Sequence, residues 1–510
     1  MKNLFFLASA LLSFNLSAQK LYFPKPSYKD SLSFAESMPK LALQVLDKYK
    51  EAETRTRLNV LFRLQLLAGK YNQSISSIDS IRVFQRTADP EGSKAIGCQF
   101  EAFANAKLLQ TKKHIPFREA YQTAFENAYL AMSVKTATEA PAYFDPDPHL
   151  LQTAVNRMLE GFSGRDSISL IEAKNLCTQY NSYTVYAQVK TISLQIIKKI
   201  TKKNYIIEDS VLIPMKDGAS ISATIVRKVQ NTDKLPVILI FNIYNGVGDI
   251  SMAQGAANNG YVGVVANTRG KRLSPQDIEP FEHDANDAYE IIDWLSKQQW
   301  CNGSVGMYGG SYLGFSQWAA AKKVHPALKT IVPQVAVGIG IDYPMFNNVF
   351  MSYMLQWIHY VSNSKETDYA DFGDQEHWDH TFKKWYSSGR AFNALDTIEG
   401  RPNKIFQRWL SHPDYDSYWQ NMVACGSDFA SIQIPILTTT GYFDDDQCGA
   451  MYYFNQHQAY NRHPEDYLLI GPYDHFAAQS SATKNLNGYT SVASLKYDFQ
   501  LNTILFFDFL

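Results

Sequence analysis

From residue 205 onward, short apolar runs alternate with amphipathic helical stretches, and this alternation narrows the fold more than any other feature of the chain. Residues 237–242 (Val-Ile-Leu-Ile-Phe-Asn) and 262–267 (Val-Gly-Val-Val-Ala-Asn) are apolar almost throughout, not on every second position. That pattern belongs to strands covered on both faces, as in parallel sheets, because a half-solvated strand would alternate with polar residues. Residues 205–214 and 221–227 read as strands around the turn Lys216-Asp217-Gly218, and further strands are predicted at 304–309, 329–335, 434–440 and 467–470. Asp284 can cap a helix in which Ala288, Ile291, Ile292 and Leu295 make one apolar face. A second helix, 312–323, follows the strand at 304–309 at once. The expected class is α/β, with a mostly parallel sheet.

The N-terminal part differs. Residues 19–200 read as an all-α domain, with a helical stripe starting at Leu58, Leu61, Phe62 and Gln65 and another through Ala120, Ala124, Ala128 and Ala131. Gly69-Lys70-Tyr71-Asn72-Gln73-Ser74-Ile75 looks like the turn of a tetratricopeptide-type hairpin. No 34-residue recurrence accompanies it, so an irregular helical domain is expected. A domain at 205–510 then carries the sheet. Within it, residues 338–430 lack strand alternation and contain Trp357, Trp378, Trp385, Trp409 and Trp419. An insertion there would sit over the carboxyl ends of the strands, where α/β folds bind ligands, so it is expected to be a helical cap.

The first residues read as a signal peptide, 1–18. Lys2 supplies the positive region, residues 4–16 the apolar stretch, and Ser17-Ala18 a small-residue exit. A secreted or periplasmic protein is expected, with no membrane span once this segment is removed. Cys98, Cys177, Cys301, Cys425 and Cys448 are too sparse for a disulfide framework and form no metal-binding pair. The formal net charge of −1, without a basic block, gives no reason to expect nucleic acid as a partner. His377-x-x-His380 lies in an acid-rich run, but the spacing is loose, so neither a metal nor a cofactor is expected.

The chemistry gathers around Gly309-Gly310-Ser311 at the predicted strand-to-helix junction. A serine hydroxyl becomes a nucleophile when a base takes its proton and a third group orients that base. A sharp turn with small neighbours presents such a serine, although here Leu313 stands where the usual elbow has its second glycine and Gly314 follows one place later. On this fold the acid and the histidine should follow the serine in that order, each beyond a later strand. The strand at 434–440 runs into Gly441-Tyr442-Phe443-Asp444-Asp445-Asp446, and that at 467–470 runs into Gly471-Pro472-Tyr473-Asp474-His475. Ser311, one of the three acids and His475 thus make a candidate catalytic triad, and the expected fold is that of an α/β-hydrolase.

These segments resemble the Xaa-Pro dipeptidyl peptidase, cocaine esterase and α-amino acid ester hydrolase group of serine hydrolases. Residues 300–314, Trp-Cys-Asn-Gly-Ser-Val-Gly-Met-Tyr-Gly-Gly-Ser-Tyr-Leu-Gly, are similar to that group's nucleophile signature, displaced glycine included. Gly441-Tyr442-Phe443-Asp444 is similar to its acid motif, which implies Asp444 as the acid, and Gly471-Pro472-Tyr473-Asp474-His475 to its base motif. His412-Pro413-Asp414-Tyr415-Asp416-Ser417-Tyr418-Trp419 resembles a cap segment of the group. The resemblance further implies an oxyanion hole made by the Tyr312 N–H and the Tyr244 hydroxyl. Gly340-Ile341-Asp342-Tyr343 resembles the region where amino-ester hydrolases grip a substrate α-amine, which makes Asp342 a candidate substrate-binding residue; an ordinary loop carboxylate fits it equally. Phe506-Phe507-Asp508-Phe509-Leu510 resembles the segment from which family members continue into a jelly-roll domain, and no such domain follows in this sequence. A truncated chain and a lost domain both fit.

The expected function is a secreted serine hydrolase that cleaves an ester, amide or peptide bond through an acyl-enzyme on Ser311. Its expected partner is a small-molecule or peptide substrate, dipeptidyl-peptidase-like or acylase-like in kind. A second expectation, from another class, is a catalytically weak scaffold whose N-terminal helical domain binds a protein partner.

Overall fold

A strand that is apolar on both faces needs neighbours on both edges and helices above and below, and the sequence from 205 supplies them in order. The computed structural model describes residues 20–23, 31–86, 92–144, 146–246, 248–479, 485–486, 489–490, 503 and 506–508. The signal peptide expected at 1–18 lies outside these residues, as do Phe509 and Leu510. The chain divides into two compact units, Met1–Lys203 and Asn204–Leu510.

Among its described residues, the first unit is helical apart from a ribbon of β1 (Lys20–Tyr22) and β2 (Ser167–Ser169). Helices Thr54–Leu67 and Tyr71–Arg86 form a hairpin whose turn needs Gly69 at φ +74°, a conformation glycine adopts without strain. The Ser74 hydroxyl ties the two by donating to the Phe62 carbonyl at 2.9 Å. The long helix Leu170–Asn204 buries Leu176, Tyr180, Asn181, Val185, Val189, Ile192, Ile196 and Ile200, a spacing that aims one stripe inward. Two buried polar pairs fasten it, Gln99 donating to the Tyr186 hydroxyl at 2.9 Å and Tyr121 sharing a hydrogen bond with Ser193 at 2.7 Å. Among the described residues no helix is long and apolar enough to cross a membrane.

The second unit is built on one sheet. Its strands are β3 (Tyr205–Pro214), β4 (Ser220–Lys228), β5 (Leu235–Asn242), β6 (Val262–Asn267), β7 (Cys301–Gly310) and β8 (Leu328–Gln334). After a two-residue ribbon of β9 (Met345–Phe346) and β10 (Val349–Phe350), β11 (Ile436–Gly441) and β12 (Asp466–Gly471) complete it. The order across the sheet is β12-β11-β8-β7-β5-β6-β4-β3. The strands from β12 to β6 pair in parallel, and the β3–β4 hairpin joins antiparallel at one edge. All six residues of β6 are buried, which is the covering on both faces that its sequence requires. Crossover helices Gly248–Asn258, Asp284–Ser296, Tyr312–Ala321 and Gln447–Tyr460 join the parallel strands. This is an α/β-hydrolase fold.

Two features of this topology place the site. The chain leaves β5 for β6 on one side and returns to β7 on the other, so β5 and β7 are neighbours at a switch point. Loops leaving their carboxyl ends diverge and open a crevice there. The segment between β8 and β11 is an insertion of short helices, among them Tyr353–Ser362, Gln375–Ser388 and Lys404–Leu410. Its Trp357, Trp378, Trp409 and Trp419 are buried in the same core as the sheet residues. The five cysteines are all free thiols.

Candidate active site

Ser311 stands between β7 and the helix Tyr312–Ala321 with φ +61° and ψ −122°. A non-glycine residue in such a conformation carries about 1–3 kcal/mol of strain and persists only where its surroundings hold it. Here the Ser311 N–H donates to the Gln334 and Val335 carbonyls at 3.0 and 3.2 Å, and its own carbonyl receives the N–H groups of Gly314 and Phe315 at 2.9 and 3.0 Å. Val335, β-branched and at φ +40°, shares the strain.

The glycines explain the displaced motif. A Cβ on Gly309 would meet the Leu313 Cβ at 2.6 Å, so Leu313 fills the space that the usual elbow leaves empty. A Cβ on Gly314 would come within 2.8 Å of the Ala336 Cα and the Gln334 carbonyl. The close approach of helix to strand therefore lies at Gly314, one residue later than in the generic pattern.

The acid and the base leave β11 and β12, which run side by side with Gly441 opposite Gly471. A Cβ on Gly441 would collide with the Tyr473 carbonyl at 2.1 Å, so this glycine lets the two loops touch. Asp444 is buried. One of its oxygens accepts from the Thr440 hydroxyl at 2.8 Å, and the other takes the Asp446 N–H at 3.1 Å and pairs with His475 Nδ1 at 2.8 Å. Fixing Nδ1 in this way leaves Nε2 as the basic nitrogen. The Gln479 amide holds the His475 carbonyl at 2.8 Å.

A second carboxylate, Asp446, lies 3.6 Å from His475 Nδ1. Burial acts to lower the His475 pKa, but the Asp444 hydrogen bond and the charges of Asp446, Asp444 and Asp445 outweigh it and raise the imidazole above its ordinary 6.5. Asp446 is itself pushed up to about 7, first by burial and then by the neighbouring carboxylates, against the opposing pull of His475. Asp444, Asp446 and His475 offer ligand-type atoms within 4.8 Å of one another, and the His–Asp hydrogen bond already joins two of them.

At the switch point, Tyr244 follows β5. Asn242 folds the loop by accepting the Tyr244 N–H at 2.8 Å, and the phenol receives the Trp357 indole N–H at 3.1 Å. Burial pushes the Tyr244 hydroxyl well up, against the opposing influence of Trp357 and of the neighbouring Ser311. Tyr312 is the first residue of its helix, where backbone N–H groups have no intrahelical acceptor and point outward. Its ring is buried, and its hydroxyl donates to Asp284 and accepts from the Phe281 N–H, each at 3.0 Å. The two donors expected for an oxyanion therefore flank Ser311.

Of the two readings that the sequence leaves open for Asp342, its contacts are those of a loop carboxylate. It is buried, with one carboxylate oxygen accepting the Gly338 N–H at 2.8 Å and the other the Gly449 N–H. Both oxygens are engaged in fastening the 338–343 turn to the helix Gln447–Tyr460, so the residue is built as a structural staple. In the acid-rich run, His377 Nε2 pairs with Glu399 at 2.9 Å. Three residues escaped the sequence reading as parts of the site: Trp357, Asp446 and Asp284. Trp357 gave only an apolar position on a helix, and Asp446 only a charge in a triplet. Asp284 showed as a helix cap; its carboxyl, pushed up to about 8 by burial and the nearby Asp287, is instead the anchor of Tyr312.

Residues 217–477 match the X-Pro dipeptidyl-peptidase family, S15. The chain is 26% identical over 288 residues to a cocaine esterase from a Rhodococcus species, covering 53% of this chain and 49% of that one. It is 27% identical over 158 residues to an Xaa-Pro dipeptidyl-peptidase from Lactobacillus delbrueckii subsp. bulgaricus, covering 28% of this chain and 18% of that one. The solved structure of a selenomethionine-labelled α-amino acid ester hydrolase is similar with a TM-score of 0.47 at 22% identity, over 59% of this chain and 52% of that one. The chain thus spans about half the length of the esterase it matches, and less of the peptidase. With more than half of its residues inside the family match, Ser311, Asp444 and His475 among them, the chain belongs to the X-Pro dipeptidyl-peptidase (S15) family.

Proposed function

We propose that this protein is a serine hydrolase that cleaves ester or amide bonds, peptide bonds included, through an acyl-enzyme on Ser311. The observation that carries the proposal is the strained Ser311 at the end of β7, with the pair of partly buried His475 and buried Asp444 leaving the ends of the next parallel strands but one and two. In the first step His475 Nε2 takes the Ser311 proton as Oγ bonds to the substrate carbonyl carbon. The negative charge that forms on the carbonyl oxygen is held by the Tyr312 N–H and the Tyr244 hydroxyl. Asp444 stabilises the imidazolium. The scissile C–O or C–N bond then breaks, and the proton on His475 passes to the leaving oxygen or nitrogen. Water repeats the sequence on the acyl-enzyme, releasing the acid and restoring the Ser311 hydroxyl. No step requires a cofactor.

The family membership favours peptides with proline second from the amino end, or amino-acid and acyl esters, as the substrate class. Steady-state rates on Xaa-Pro amides, alanine amides and simple acyl esters distinguish these. Turnover of at least one class that vanishes in Ser311→Ala supports the proposal, and equal turnover by the variant contradicts it. Export belongs to the proposal through Lys2 and the apolar stretch 4–16. Amino-terminal sequencing of the mature protein tests this, and a protein found only inside the cell with Met1 intact argues against it.

A further inference from the structure

The insertion meets the proposed oxyanion residue Tyr244 through a hydrogen bond from Trp357. Trp357, on the helix Tyr353–Ser362, is 4% exposed, and its indole N–H lies 3.1 Å from the Tyr244 hydroxyl. An indole nitrogen can only donate, so the phenol oxygen must accept this bond, and its own hydrogen has to turn to the other side of the oxygen. Without that partner the hydroxyl could rotate and accept from the Ser311 hydroxyl or from water. With it, the phenol is held as a donor. Accepting one hydrogen bond also polarises the O–H and strengthens the bond it gives.

The ring of Trp357 is positioned with equal care. It stands edge-on to Tyr244 at 87° and stacks on Phe281 at 5.4 Å and on Tyr312 at 6.1 Å between centroids. Trp409 lies against it at 6.3 Å. A single side chain of the insertion thus touches both residues proposed to hold the oxyanion, the phenol of Tyr244 through its N–H and the ring of Tyr312 through its face.

We infer that Trp357 is a positioning residue that fixes the Tyr244 hydroxyl as a hydrogen-bond donor to the oxyanion, so that the insertion completes the catalytic machinery as well as covering it. This rests on the proposed serine-hydrolase reading. The role makes a demand that packing alone does not: the N–H of Trp357 should matter only while Tyr244 has a hydroxyl to receive it.

The test is a double-mutant cycle on the full chain, with kcat and KM for p-nitrophenyl butyrate and the rate of Ser311 modification by a fluorophosphonate as readouts. Trp357→Phe removes the N–H but changes the packing. Replacing Trp357 by 3-benzothienylalanine, in which sulfur takes the place of the N–H in a ring of nearly the same shape, keeps the assay decisive if the phenylalanine variant folds poorly. Each is expected to lower kcat and the modification rate about tenfold with KM nearly unchanged, a part of the ~100-fold or larger loss expected for Tyr244→Phe. In the Tyr244→Phe background the same replacement should have no further effect. An equal loss in both backgrounds, or no loss with the benzothienyl ring, overturns the inference. Failure of the underlying reading is distinct, because it shows as an absence of Ser311-dependent modification in the unaltered chain.

Discussion

The substitution Gly314→Ala separates the claim that the helix Tyr312–Ala321 is seated tightly on β8 from the weaker claim that a glycine merely occurs there. An added Cβ would lie 2.8 Å from the Ala336 Cα, the Ala336 Cβ and the Gln334 carbonyl oxygen, whereas ordinary contact begins near 3.4 Å. Two of these neighbours are backbone atoms, so relief requires the helix or the strand end to move. Overpacking of this kind costs about 1–3 kcal/mol. Alanine returns part of it through helix propensity, about 0.5–1 kcal/mol. The net expectation is a loss of up to about 2.5 kcal/mol, or up to roughly 4 °C in Tm for a unit as long as Asn204–Leu510. Gly255→Ala provides the control, since it lies in the helix Gly248–Asn258 with nothing within 4 Å of the added Cβ. There only the propensity gain applies, and Tm should rise by roughly 1–2 °C. Because Ser311 and the Tyr312 N–H ride on the displaced helix, Gly314→Ala should also lower kcat at least tenfold, while Gly255→Ala leaves it unchanged. Calorimetric melts and ester turnover of the two variants check both parts. A Gly314→Ala protein that is as stable and as active as Gly255→Ala would refute the reasoning.

Three further expectations follow from the same geometry. His475 must be neutral to act as a base and its pKa is raised, so kcat/KM should climb with pH through a midpoint above 6.5, and Asp446→Asn, which removes a carboxylate 3.6 Å away, should move that midpoint to lower pH; a midpoint unmoved by the substitution counts against the placement of Asp446. Asp284 is pushed up to about 8 from 3.8, so its favourable contribution is complete below pH 3.8 and is lost as pH rises through about 8. Relative to Asp284→Asn, the unaltered chain should therefore lose Tm between pH 5 and 8, and parallel curves would contradict this. Asp342 accepts two backbone N–H groups, so Asp342→Ala should lower stability by about 1–3 kcal/mol and alter KM equally for substrates with and without an α-amine; a KM effect confined to the amine-bearing substrates would restore the role its sequence suggested.

Where a signal is local and repetitive, the sequence carries it into the structure nearly intact. The strands at 205–214 and 262–267 are found at those residues, because β-branched runs bounded by turns leave the backbone few alternatives. The places of Ser311 and His475 in the fold were legible because both follow a strand end, and an α/β sheet converts such a position in the chain into a position in space. Asp342 was not, since the direction of its carboxylate depends on a turn in which Gly338 and Gly449 approach within one Cβ of each other. That contact joins residues over a hundred positions apart, and no periodicity announces it. Trp357 was hidden for the same reason: its hydrogen-bond partner is 113 residues away, and an aromatic stripe on a helix reveals a buried face without revealing what it meets. The ribbon β9–β10 within the insertion is two residues per strand, too short for alternation to register.

The central claim, that Ser311 is the nucleophile, is tested most directly by treating the full chain with a fluorophosphonate and reading the adduct by mass spectrometry of the digested protein. The structure predicts a single stoichiometric adduct on the peptide carrying Ser311, slowed by Asp444→Asn and absent from Ser311→Ala. An adduct on any other residue, or one that persists undiminished in Ser311→Ala, would contradict it.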